Sequence, residues 1–231
     1  MNKKTILGIV VVIVIAIIGV VYFSSFNVGN NSGNNKVLEN QTPNKINTDS
    51  KSLVVYFSVP ETDNPNNMTR DEDNSVTVVD EKVLGNTEYV ASLISEKTNS
   101  DLFRLEPVDA YPTNHQQLLD RARKEMEENA RPKLKEEIDI SEYDTIFIGY
   151  PIWNADLPPI INTFLENNNF DKKKIIPFCT HGGSGLSGTP TTIKNKLSNS
   201  TVITNGFSLS RTNMEAAPEE VDSWLSQIGI E

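Results

Sequence analysis

The stretch that decides the fold is Thr145-Ile-Phe-Ile-Gly-Tyr-Pro-Ile-Trp153, in which an unbroken apolar run ends at Pro151. A short run of this kind is typical of a strand buried on both faces of a parallel sheet. Residues 53–57 and 174–179 have the same character. The chain is therefore predicted to contain a parallel sheet, with ligand-facing loops at the carboxyl ends of these strands.

Apolar residues at helical spacing lie between and after these strands. The sequence predicts helices over 87–97, 114–129, 159–166, 191–197 and 218–228, and further strands at 101–106 and 201–203. Strands that alternate with helices form βαβ units with right-handed crossovers. We therefore predict an α/β domain with a doubly wound, five-stranded parallel sheet of order 2-1-3-4-5.

The first fifty residues are predicted to lie outside that domain. Residues 6–23 are apolar or small and uncharged, and their length is close to the ~20 residues of a membrane-spanning helix. A cleaved signal peptide is the alternative, although no Ala-x-Ala-like site follows. We expect a transmembrane anchor over 1–25, a flexible polar tether over 26–50 and a folded domain over 51–231. Lys3 and Lys4 favour the cytoplasmic side, so the folded domain is expected outside the membrane.

The folded part is acidic, with 17 Lys and Arg against 29 Asp and Glu from Lys51 onward. Such a surface disfavours nucleic acid and favours a basic redox partner that is steered electrostatically. Cys179 is the only cysteine, so no intrachain disulfide forms. The only histidines are His115 and His181, and no metal site is predicted. We expect the folded part to be monomeric.

A long segment, 59–84, separates the first strand from its helix, where about two to six residues are usual. Residues 76–79 and 82–84 are predicted to pair as a hairpin around Asp80-Glu81. The preceding residues, 60–75, are polar and turn-forming. A functional loop and a disordered surface insertion both remain open for this segment.

Two predicted loops offer groups that suit a cofactor. The first ends in Gly85-Asn86-Thr87 at the start of a helix, close to a phosphate-binding pattern, and Ser58 adds a hydroxyl. The alternative is a plain helix cap with Asn86 as the N-cap. The second loop, 151–158, holds Trp153 between prolines, where it suits stacking on a flat ring or capping the core.

The third loop follows the strand at 174–179 and carries four glycines within 182–188. Glycines let the backbone approach a ligand and present N–H groups to the edge of a ring. Ser184 lacks the Gly-x-Ser-x-Gly pattern of a nucleophile, and Cys179 is interpreted as a small core residue. No catalytic residue is predicted.

The sequence resembles flavodoxins, particularly an exported branch, over residues 53–228. The resemblance lies in Val-Val-Tyr-Phe-Ser at 54–58, Gly-Asn-Thr at 85–87, Gly-Tyr-Pro-Ile-Trp at 149–153 and Pro-Phe-Cys-Thr-His-Gly-Gly-Ser-Gly at 177–185. It implies a non-covalent FMN, with its phosphate at the first loop and its ring against Trp153 and the third loop. The implied cofactor contacts are Ser58, Thr62, Gly85, Asn86, Thr87, Pro151, Ile152, Trp153, Asn154, Thr180, His181, Gly182, Gly183, Ser184 and Gly185.

Two departures from the flavodoxin pattern matter. An insertion separates Ser58 from Gly85, and Thr62 or another insertion residue is expected to replace the missing phosphate contacts. Asn154-Ala155 follow the tryptophan, where the family usually has glycine directly or after a second aromatic residue. A Cβ at a position of positive φ costs about 1 kcal/mol or more, so a flip of the peptide beside the ring is expected to be harder.

These patterns predict an FMN-binding electron-transfer protein displayed outside the cytoplasmic membrane. An FMN-dependent reductase of quinones or other small oxidants is the nearest alternative. The other is a binding module without cofactor, which would use the 59–84 insertion for recognition.

Overall fold

The computed structural model describes residues 51–230, which form a main sheet of six strands and a separate two-stranded hairpin. The strands are β1 (Ser52–Tyr56), β2 (Val76–Val79), β3 (Lys82–Gly85), β4 (Asp101–Arg104), β5 (Thr145–Pro151), β6 (Lys174–His181), β7 (Thr201–Val202) and β8 (Phe207–Ser210). The helices are α1 (Arg70–Ser75), α2 (Asn86–Thr98), α3 (His115–Glu127), α4 (Pro159–Asn167), α5 (Thr189–Lys196) and α6 (Ala217–Gln227). The predicted anchor and tether lie outside the described residues, and no helix within 51–230 is long and apolar enough to span a bilayer.

The main sheet is parallel throughout and runs β4-β1-β5-β6-β7. With the hairpin set aside, this is the predicted 2-1-3-4-5 order. The prediction of five strands is wrong in one respect, because the sheet has a sixth strand, β8. Strand β7 pairs with the beginning of β6 and β8 pairs with its end, so the two strands share one edge of the sheet. The division between them falls opposite Pro177, which has no N–H to donate, and the chain passes so close there that a Cβ on Gly206 would collide with the Pro177 carbonyl oxygen.

Alternate residues of β1 enter two separate cores, one on each face of the sheet. Leu53 and Val55 face the core covered by α3, α4 and α5, while Val54 and Tyr56 face the core covered by α2 and α6. Burying an aliphatic side chain completely contributes about 1.5–3 kcal/mol, which explains why the strand sequence is apolar at successive positions.

The insertion after β1 is folded. Strands β2 and β3 pair as predicted, and Asp80 and Glu81 form the turn with φ of 49° and 64°. Helix α1 was not predicted in the polar segment before them. It begins with a capping box, in which Thr69 N–H donates to the Glu72 carboxylate at 2.7 Å and Glu72 N–H donates to the Thr69 hydroxyl at 3.3 Å.

The prediction that Asn86 caps α2 is wrong, because Gly85 is the N-cap and Asn86 is the first helical residue. The Asn86 side chain binds the insertion instead. Its amide nitrogen donates to the Asn74 carbonyl at 2.9 Å, and its amide oxygen accepts from the Thr77 hydroxyl at 2.7 Å. Tertiary contacts therefore override the usual preference of asparagine for the cap.

Candidate functional site

A cavity of about 210 Å³ opens at the carboxyl edge of the main sheet. All three predicted loops contribute to its wall. The predicted site residues that line it are Ser58, Asn86, Thr87, Pro151, Ile152, Trp153, Asn154, Thr180, His181 and Gly182. The predicted residues that do not line it are Thr62, Gly85, Gly183, Ser184 and Gly185.

Ser58 and Gly85 meet in space although the insertion separates them in sequence. A Cβ at Gly85 would collide with the Ser58 hydroxyl, so glycine at this position lets that hydroxyl keep its place. Arg104 donates to the Ser58 carbonyl at 3.2 Å and so fixes the end of β1. The two parts of the predicted phosphate loop therefore assemble at the start of α2, where helix N–H groups attract anions.

Thr180 links the three loops to one another. Its hydroxyl lies 2.7 Å from the Thr87 hydroxyl, and both side chains are buried. Its carbonyl accepts from the Ile152 N–H at 2.9 Å. The relative positions of the loops are thus fixed by buried hydrogen bonds rather than by surface contacts.

Trp153 packs partly against the core and also lines the cavity. Its ring is nearly perpendicular to the rings of Phe57 and Tyr111, with centroids 5.3 and 5.2 Å away. The chain then turns tightly, with reciprocal backbone hydrogen bonds between Trp153 and Asp156 at 2.8 and 3.1 Å. Asn154 and Ala155 occupy this turn with φ of 45° and 60°, so both carry a Cβ in the left-handed region.

The third loop is held by its own backbone. The Gly183 N–H donates to Nδ1 of His181 at 2.9 Å, and Gly183 has a φ of 131°. Burial lowers the pKa of His181, which keeps its ring neutral and able to accept this bond. Arg211, at the end of β8, lies against Gly182 and lines the same cavity.

Nine lining residues were not predicted. They come from the insertion, from one face of α3 and from the end of β8: Val59, Glu61, Asn74, Ser75, His115, Leu118, Leu119, Ala122 and Arg211. Thr62 was expected to complete the phosphate site, but it does not line the cavity. Its neighbour Glu61, with Asn74 and Ser75 of the same insertion, does. Thr62 accepts a local hydrogen bond from the Asn64 N–H at 3.1 Å.

Glu61 and His115 form a pair in the wall of the cavity. Both carboxylate oxygens of Glu61 lie 3.0 Å from Nδ1 of His115. The Glu61 side chain is 7% exposed, and burial raises the pKa of its carboxyl while the bond to His115 opposes that rise. The residues are 54 positions apart, and no local pattern in the sequence marks them as partners.

Other reactive groups are absent or inert in the part of the chain that the structure describes. No cluster of three or more His, Cys, Asp or Glu residues is placed to hold a metal within 51–230. Cys179 is buried, and burial raises its pKa to about 12, so the thiol stays protonated at neutral pH. The candidate site is therefore a polar and aromatic cleft whose titratable lining residues are Glu61, His115, His181 and Arg211.

A doubly wound sheet with three loops around one cavity at its carboxyl edge defines a flavodoxin-like α/β protein. Residues 76–228 match a family model described as flavodoxin, and the chain belongs to the flavodoxin family. No curated protein matches the chain.

Solved structures have the same fold. A provisionally assigned flavoprotein from Bacteroides eggerthii is 26% identical, with a TM-score of 0.59 over 79% of this chain and 99% of that one. A similar protein from Bacteroides uniformis is also 26% identical, with a TM-score of 0.55 over 75% and 98% of the two chains. A flavoprotein from Lactobacillus acidophilus, solved in complex with FMN, is 22% identical, with a TM-score of 0.52 over 76% and 98%.

Proposed function

We propose that this chain binds FMN non-covalently and transfers electrons as a flavodoxin-like redox protein. One observation carries the proposal: three loops that are distant in sequence meet at one cavity and are joined there by Thr180. The Lactobacillus acidophilus flavoprotein with this fold was solved with FMN, and membership of the flavodoxin family supports the same cofactor here.

The residues present fit the two ends of FMN. At the phosphate end, a Cβ on Gly85 would fill the space beside the Ser58 hydroxyl, and α2 begins there with N–H groups available to an anion. At the ring end, Ile152 and Trp153 give an apolar surface beside the backbone of the third loop. FMN supplies the redox chemistry when bound, and the chain binds and orients it.

Thr87 gives a direct test with a matched control in the same helix. The full chain, purified in mild detergent, is titrated with FMN while flavin fluorescence and absorbance are followed. Thr87→Val removes a cavity hydroxyl and should weaken FMN binding about tenfold, the loss expected for one hydrogen bond to a charged group. Thr98→Val removes a hydroxyl at the opposite end of α2, where it donates to the Ile94 carbonyl, and should leave FMN affinity unchanged.

If wild-type protein neither contains FMN nor quenches added FMN, the redox function is wrong. A binding module without cofactor would then account better for the folded insertion. If Thr87→Val and Thr98→Val weaken binding equally, FMN does not use the start of α2.

We further propose that the acidic surface exchanges electrons with a basic partner protein. From Lys51 onward the chain has 29 acidic and 17 basic residues, and this excess of negative charge supports electrostatic steering. Association between exposed charges is screened over about 8–10 Å at physiological salt. Electron transfer between the reduced chain and cytochrome c, a basic redox protein that accepts the electrons, should therefore slow steeply as salt rises, and a flat salt dependence would contradict the proposal.

The location we propose is the outer face of the cytoplasmic membrane, with residues 1–25 as a single-pass anchor. The uncharged apolar run at 6–23 after Lys3 and Lys4 supports this orientation. Protease added to intact cells should remove the folded part, whereas protection until lysis would contradict an outward orientation. Release of the chain from washed membranes by salt alone would contradict the anchor.

A further inference from the structure

The cavity has a fourth wall that the three loops do not provide. His115, Leu118, Leu119 and Ala122 lie on one face of α3, at the i, i+3, i+4 and i+7 spacing that aligns helical side chains. This face is apolar except at its first residue. The space between α3 and the Trp153 loop thus has apolar sides and one imidazole at its end.

Glu61 orients this imidazole. An ionised carboxylate only accepts hydrogen bonds, so Nδ1 of His115 carries the proton that both Glu61 oxygens share at 3.0 Å. The second ring nitrogen, Nε2, has no hydrogen-bond partner within residues 51–230. A nitrogen with a free lone pair or proton, on a ring that lines the cavity, is suited to proton transfer with whatever occupies the cavity.

The insertion holds Glu61 in turn. The Glu61 N–H donates to the Ser75 hydroxyl at 2.9 Å, and that hydroxyl donates to the Glu72 carbonyl at 2.8 Å. The end of α1 is therefore connected to the backbone of Glu61 through two hydrogen bonds. An ion pair that served only the fold would not need its histidine ring beside the cavity, whereas an oriented acid–base pair does.

We propose that His115, oriented by Glu61, is a proton donor for the two-electron reduction of a quinone-type acceptor bound in this cavity. The inference rests on the proposed FMN function and names a substrate class for the same site. A quinone is planar and largely apolar, which matches the wall formed by Leu118, Leu119 and Ala122 of α3, on the side of the cavity that the FMN contacts proposed above do not use.

The proton balance of quinone reduction requires such a group. FMN, when bound and reduced, supplies two electrons and one proton in the form of a hydride. A quinone that accepts a hydride needs one further proton to become a neutral hydroquinone. Protonated His115 donates that proton from Nε2. It keeps its Nδ1 proton, which stays hydrogen-bonded to Glu61, and water then reprotonates Nε2.

The experiment compares two acceptors on the same protein. Full-length protein loaded with FMN is photoreduced without oxygen and mixed in a stopped-flow instrument with a water-soluble benzoquinone or with ferricyanide. Ferricyanide accepts single electrons and no proton, so the ratio of the two reoxidation rates isolates the proton-transfer step. His115→Gln should lower this ratio about 100-fold, which is within the usual range for loss of a general acid.

Two further variants separate donation from positioning. Glu61→Gln should lower the ratio about tenfold, because Glu61 is a positioning residue that leaves His115 in place but less well oriented. Gln116→Ala changes the next residue of α3, whose exposed side chain bonds to Asp120 at 2.8 Å, and is the matched control with an unchanged ratio. The quinone reaction of wild type should also slow in deuterated water, and that isotope effect should disappear in His115→Gln.

A readout without flavin tests the orientation itself. Nitrogen-15 NMR of the apoprotein should show neutral His115 as the Nδ1–H tautomer, and Nε2–H would overturn the proposed role of Glu61. An unchanged rate ratio in His115→Gln, or an equal loss with both acceptors, would overturn the proposal while FMN binding still stands. Failure of wild type to bind FMN would overturn the proposed function and this inference together.

Discussion

Ala155 occupies a backbone conformation that an alanine disfavours, and this gives a prediction with a definite sign. Its φ is 60°, its side chain is exposed, and it lies in the turn that closes the Trp153 loop. The left-handed region costs an L-residue about 1–2 kcal/mol, whereas glycine enters it without that penalty. Glycine also gains about 0.4–1 kcal/mol of conformational entropy in the unfolded chain, which opposes the benefit.

The net expectation for Ala155→Gly is a gain of about 0.5–1 kcal/mol in the free energy of unfolding. Urea unfolding followed by circular dichroism measures it. With a slope of about 2 kcal/mol per molar urea, the midpoint should rise by roughly 0.3–0.5 M. Asn154→Gly should gain less, because asparagine tolerates the left-handed region better than alanine does.

Ala110→Gly is the control for this change. Ala110 is also exposed in a loop, but it is not among the residues of 51–230 with positive φ. The same substitution there should lower the free energy of unfolding by about 0.5–1 kcal/mol. If Ala155→Gly is no more stable than wild type, or falls together with Ala110→Gly, the strain argument for this turn is refuted.

Three further outcomes are expected. Burial raises the pKa of Glu61, so the stability it contributes is present below about pH 4.5 and is lost as the pH rises through its folded pKa. Urea titrations should therefore show wild type losing stability relative to Glu61→Gln between pH 4.5 and 7, and a trend in the opposite direction would count against a desolvated carboxyl. Cys179, with its pKa raised to about 12, should resist iodoacetamide at pH 8 until urea unfolds the chain, and rapid labelling of native protein would show that the thiol is accessible. Thr69→Ala removes the capping box of α1 and should cost about 1 kcal/mol, seen as faster amide exchange in residues 70–75 with slow exchange in α2 unchanged.

Local patterns were sufficient to predict five of the six strands of the main sheet, all except β8. The runs at 53–57 and 145–150 are apolar at successive positions because both faces of their strands are buried. The hairpin at 76–85 also follows from its own residues. Helix α1 was missed although Thr69 and Glu72 form a capping-box pattern, because the surrounding composition favours turns.

The prediction of Asn86 as a cap failed for a different reason. Its side chain binds residues of the insertion, and their positions depend on how a 26-residue segment packs against the start of α2. The sequence did not predict the pair of Glu61 and His115 for the same reason. The loops of the site were predictable because the carboxyl ends of parallel strands lie at the same edge of the sheet. The cavity wall formed by α3 was not, because it depends on how that helix packs.

The hydrogen bonds of Asn86 also limit what can replace the insertion. Deletion of the insertion would leave a nearly buried amide, 5% exposed, without its partners on Asn74 and Thr77. Each abandoned polar group costs about 1–3 kcal/mol, a substantial part of the stability of an ordinary domain. That cost applies to a replacement segment that still covers Asn86 and offers it no partner, because open deletion would let water bond to the amide. A chimera that keeps Asn86 beneath a replacement segment without these two partners should therefore unfold at a lower urea concentration than the parent chain.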